Sequence, residues 1–172
     1  MSDLYGRITN EQDLLTRLVS KIPGFRGYVE RETRRSADKM IREVIASRFE
    51  EQWQHISRLQ RDLIGARQID LVDDLEAAAI KLRQFADRIR HAAYGYAGFF
   101  DAIKIQEEEL SRIYQFDLQL LEKVDEISNA VGNVESSIGT DGLPAAIRHL
   151  TTVAQETIET YNRRMEVIQA ME

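Results

Sequence analysis

Between Glu107 and Ile138, apolar residues recur at Leu110, Ile113, Leu120, Val124, Ile127, Val131, Val134 and Ile138. The steps alternate between three and four residues once Asp117 is admitted between Ile113 and Leu120. An α-helix turns once in 3.6 residues, so this spacing keeps one narrow stripe on one side of a helix, as in the seam of a bundle or coiled coil. The stripe predicts a helix over about 107–138 and neighbours that cover it.

The neighbours are legible in the same way. A second stripe, Ile41, Ile45, Phe49, Trp53, Ile56, Leu59 and Leu63, predicts a helix over about 28–64 with Trp53 in the core. Its opening is nearly all charge, with Glu30–Arg34 and Asp38–Arg42 spaced to pair along one face. Gly65 is the expected left-handed cap. Leu75, Leu82 and Ile89 recur every seven residues, flanked by Ala78, Ala79, Phe85, Ala86, Ala92 and Ala93. They predict a helix over about 70–93, which folds back on its predecessor as an antiparallel hairpin. Asp70 or a neighbour is placed to cap it, and Asp73, Asp74 and Glu76 suit the positive end of its dipole.

After Gly139 and the tight Thr140-Asp141-Gly142 connection, Leu143, Ile147, Leu150, Ala154, Ile158, Tyr161, Met165 and Ile168 predict a last helix over about 143–170. Near the start, Thr9 and Gln12 have the form of a capping box. A short helix over about 10–22 follows, and Pro23-Gly24 fits the central pair of a type II turn. Phe25 and Tyr28 would pin it to the bundle. Tyr94 to Gln106 breaks the periodicity with two glycines and four aromatics.

The fold expected is therefore all-α. Four long, antiparallel-leaning helices with coiled-coil-like seams form a single domain over 1–172, with a short N-terminal helix and an aromatic connector at 94–106.

Composition narrows the chemistry. With 172 residues the chain is long enough to bury a real core, and only two prolines leave room for long helices. The absence of cysteine removes disulfides, thiolate metal sites and thiol nucleophiles, and makes a reducing, cytoplasmic setting the expectation. No leader-like apolar run and no membrane-length window is evident. Net charge is −6, unevenly placed: up to Ala93 there are 17 Lys/Arg against 15 Asp/Glu, and from Tyr94 on 6 against 14. Two halves of opposite sign attract within one bundle.

Catalytic signatures are missing: there is no phosphate loop, HExxH, GxSxG or dinucleotide fingerprint. His55, His91 and His149 are preceded at three residues by Gln52, Arg88 and Ala146, which breaks the Glu-x-x-His pattern of di-metal bundles. No catalytic residue, metal ligand or cofactor is assigned, and the reading leans away from an enzyme.

Three features remain as candidates. Asp117 puts a carboxylate on a seam, where it loses hydration unless it is paired, hydrogen-bonded or protonated. It would reach water at an open layer, pair with an arginine such as Arg83 or Arg90 or with a tyrosine and fix register, or face a pocket with Asp101 and Glu109. Tyr94, Tyr96, Phe99 and Phe100 would plug the bundle end, meet a partner or touch a membrane surface. Arg26, Arg31, Arg34, Arg35, Lys39 and Arg42 would meet an anionic lipid surface, although the acids among them argue against nucleic acid.

The functional expectation is a non-enzymatic interaction or scaffolding protein, with a protein partner or a second copy of itself. A peripheral membrane protein and a carboxylate-lined metal or ligand pocket are the alternatives.

Overall fold

The computed structural model describes residues 14, 16–25, 34–91 and 107–170. Every long element among them is a helix, as the periodicities require. A short α1 covers residues 16–21. The long helices are α2 (Arg34–Gly65), α3 (Val72–His91), α4 (Glu107–Ser137) and α5 (Leu143–Gln169), with a 3₁₀ turn at Ile69–Leu71 leading into α3. Among the described residues, no helix is long and apolar enough to cross a membrane.

The stripe on α4 is buried as expected: Leu120 and Ile127 are fully enclosed and Val124 nearly so. Its cover comes from α2 and α5, which pack directly against it. Leu75, Ala78, Ala79, Leu82, Phe85, Ala86 and Ile89 all face inward from α3. Phe49 of α2, Phe85 of α3 and Tyr161 of α5 meet edge to face across the core, with ring centroids 4.8 and 5.4 Å apart. Trp53 departs from expectation. It lies half-buried at the α2–α3 margin, with the Arg83 guanidinium 5.3 Å from its ring centroid. A large ring at the edge of a seam can bury one face and present the other to a cation.

Consecutive helices form two antiparallel hairpins. Arg90 of α3 bonds Glu50 of α2, and Gln60 bonds Glu76. Lys123 of α4 bonds Glu156 of α5, and Arg164 bonds Asp117. Between the hairpins, α2 packs on α4 and α3 packs on α5, which leaves α3 and α4 on a diagonal. These neighbours run parallel: Lys81 meets Gln155 and Arg88 meets Asn162, so positions rise together along α3 and α5. The antiparallel leaning thus lies within each hairpin, while helices paired between the hairpins run parallel. The reason is that the segment from α3 to α4 joins diagonal helices rather than neighbours.

Both tight connections lie at one end of the bundle. The first differs from expectation at Gly65, which stays helical. The left-handed residue is Arg67, at φ 60°. Its N–H bonds the carbonyl of Ile64, and that of Gln68 bonds the carbonyl of Leu63, so the cap is a Schellman motif closed two residues after the glycine. Gly139, just past the end of α4, is itself left-handed, at φ 83°. Near α1, Gly24 at φ 80° and the bond from Phe25 N–H to the Ile22 carbonyl make the expected type II turn. Leu18, Ile22 and Phe25 are buried, while Arg17 and Lys21 pair with Glu122 and Asp125 of α4.

Candidate functional site

Asp117 and Arg164 carry the most pronounced buried chemistry among the described residues. The seam spacing of α4 turns Asp117 inward, and the antiparallel course of α5 brings Arg164 to the same level. Both side chains are fully enclosed. The Arg164 Nε donates to Asp117 Oδ1 at 2.7 Å, and Nη2 reaches Oδ2 at 3.5 Å, so the guanidinium fork spans both carboxylate oxygens. Other polar side chains lie on the same stretch of α5. The hydroxyls of Thr157 and Thr160 are buried and donate to the carbonyls of Val153 and Glu156 in their own helix.

A sealed ion pair of this kind has a defined physical role. Desolvating both charges costs several kcal/mol per ion, and the mutual attraction offsets that only in good geometry. The pair therefore discriminates between arrangements more than it stabilises any one. A slip of α4 against α5 by one turn would leave both charges buried without each other. The carboxylate is fully buried and faces the guanidinium of Arg164.

The expected partners Arg83 and Arg90 are engaged elsewhere: Arg83 covers Trp53 and Arg90 bonds Glu50. Asp101 lies outside the described residues, and so does the side chain of Glu109. The aromatics Tyr94, Tyr96, Phe99 and Phe100 lie outside them as well, as do Arg26 and Arg31 and the side chains of Arg34 and Arg35. Lys39 is exposed, 3.9 Å from Glu43. Arg42 is buried, at 4% exposure, on the same line of α2 as the buried Ala46 and Phe49 four and seven residues on.

Surface grooves open among the described residues. One, of about 440 Å³, lies between α2 and α4 and is lined by His55, Arg58, Leu59, Arg61, Asp62 and Glu135. There the His55 Nε2 sits 3.3 Å from Glu135 Oε2. Another, of about 190 Å³, runs along α2 and α3 beside Trp53 and Arg83. Among the described residues no three His, Asp or Glu side chains converge to hold a metal ion. His91 is exposed and contacts the Asp87 carbonyl of its own helix, and His149 is exposed.

On the outer face of the α4–α5 hairpin, Lys123 bonds Glu126 at 2.8 Å and Glu156 at 3.0 Å. Burial lowers the pKa of its ammonium, but the hydrogen bonds and charges of the two carboxylates outweigh that effect and hold it above the ordinary 10.5.

Arg164 was the residue that sequence reasoning missed. The signal was available. Counting from Leu150 in alternating steps of four and three gives Ala154, Thr157, Tyr161 and Arg164, whereas two consecutive steps of four lead to Ile158 and onto the half-buried Met165. Comparison with protein-family models, with curated proteins and with solved structures finds no match to this chain.

Proposed function

We propose that this chain works as a non-enzymatic helical interaction or scaffolding protein that associates with itself. The observation that supports this reading is the sealed Asp117–Arg164 pair. The most reactive-looking side chain in the sequence spends its charge on holding two helices in register, which is the task of a rigid platform. The bundle then acts through its surface, where the charged faces of its helices and shallow grooves among the described residues are on offer.

Light scattering over a wide concentration range, joined to a pull-down between two differently tagged copies, tests the reading. Mass that rises above one chain, with capture of the second copy, is the expected outcome. A strict monomer that captures nothing would overturn it. Flotation with anionic vesicles at low salt and metal analysis of the pure protein address the two alternatives: binding to the vesicles would favour a peripheral membrane role, and a stoichiometric metal would favour a pocket.

A further inference from the structure

We infer that two copies of this chain meet at the turn between α2 and α3, related by a two-fold axis, with Ile64 and Ile69 of one against those of the other and Arg67 of each paired to Asp70 of its neighbour. This rests on the self-association proposed above and names its surface and symmetry.

The turn carries apolar surface. Among the described residues the large exposed hydrophobics are Ile64, Ile69 and Ile80, and the first two belong to this one turn, at 53% and 64% exposure. A single exposed isoleucine is ordinary. Two within one turn, at the end of a bundle, make a small patch of the kind that a partner covers.

The backbone of the turn gives a second, independent reason. Arg67 is held at φ 60°, where a side chain beyond glycine meets the following carbonyl. Glycine would close the same Schellman motif without that cost. A residue kept in a costly conformation on an exposed turn points to a task for its side chain. Within the chain the side chain has none: neither Arg67 nor Asp70 makes a side-chain hydrogen bond or ion pair among the described residues, and both are exposed.

The order of charges selects the occupant. Over residues 61–74, Arg61 and Arg67 precede Ile69, while Asp70, Asp73 and Asp74 follow it; Asp62 is the exception. Such a patch has a cationic side and an anionic side. A two-fold rotation lays each side over its opposite, so the patch is complementary to itself. A surface of one sign, such as an anionic membrane, would be attracted by one side and repelled by the other. A single turn offers less than the roughly 800 Å² per partner of a standard interface. The dimer therefore forms reversibly and at high protein concentration.

Sedimentation equilibrium over a wide concentration range tests this with the full chain, Arg67→Asp, Asp70→Arg and an equimolar mixture of those two variants. The unaltered chain should dimerise. Either variant alone should dimerise about tenfold more weakly or worse, because the two-fold counts each change twice and sets like charges face to face. The mixture should recover the dimer, since the introduced acid of one copy faces the introduced base of the other and the native pair remains alongside. A variant that merely misfolds would not be rescued by mixing. Ile64→Ser/Ile69→Ser, at exposed positions, should leave the urea midpoint in place and remove the dimer. Dimerisation of the unaltered chain that none of these substitutions weakens overturns this surface and leaves self-association standing. Weakened variants that stay apart on mixing overturn the two-fold pairing. A single-chain mass at every concentration overturns both readings.

Discussion

The two ends of the bundle are built on different principles. Toward the tight turns, the core layers hold Ile56, Leu59 and Leu63 from α2, Leu75, Ala78 and Ala79 from α3, Val131 and Val134 from α4, and Leu143, Ile147 and Leu150 from α5. Apolar layers of this kind stabilise by area removed from water and tolerate many arrangements of similar volume. Toward the opposite end, Arg42, Asp117, Thr157, Thr160 and Arg164 are all buried. Those layers give up hydrophobic stabilisation, and in exchange only one arrangement satisfies their charges. One end supplies adhesion and the other supplies uniqueness.

The sharpest way to break this contrast is Asp117→Ala. It strands the Arg164 guanidinium in the core and is expected to cost about 3–5 kcal/mol, read as a lowered midpoint in urea unfolding. Leu63→Ala, in the apolar end, is expected to cost about 2–5 kcal/mol by leaving a cavity, with one packing arrangement retained. The double variant Asp117→Leu/Arg164→Met tests the contrast from the other side. Replacing a buried pair with apolar side chains is neutral or stabilising by about 1–4 kcal/mol. Uniqueness should fall even so, visible as broadened amide cross-peaks from α4 and α5. A large loss of stability in the double variant would show the pair to be a net source of adhesion.

Smaller effects concern the turns. Gly139→Ala puts a Cβ on a left-handed residue with open space around it, so the backbone alone sets a cost of about 1–2 kcal/mol. Arg67→Gly is the converse and is expected to stabilise by up to about 1 kcal/mol. Thermal melts of both separate the two caps. Lys123 adds a pH signature. Its pKa is raised in the folded chain, so its contribution is fully present below 10.5 and is lost as pH climbs through the raised value. Lys123→Met should flatten that alkaline decline, and an unchanged slope would show that the carboxylates do not hold it.

The helices and their inward faces were legible from spacing alone because burial of a stripe leaves a 3–4 rhythm that few other constraints produce. The same rhythm exposed Asp117 as an intruder. It did not expose its partner, since an arginine among surface-like residues reads as solvated, and Ile158 and Met165 offered a more apolar but less regular path along α5. The turn after α2 was misread for a related reason. Gly65 is the residue best suited to a left-handed cap, yet the helix keeps going and asks Arg67 to take that conformation. The parallel pairing of α2 with α4 was not legible, because amphipathic patterns say which face is inward and nothing about which neighbour lies across it.

Thr151, Thr152, Thr157 and Thr160 each return their hydroxyl to a carbonyl one turn back in the same helix. A hydroxyl satisfied in this way travels with its helix and carries no address. Slide α5 along its groove and all four remain content. The guanidinium of Arg164 has no such independence: it recognises a single docking position, much as a key recognises one ward, and so a large share of the bundle's positional memory resides in a carboxylate and the fork that grips it.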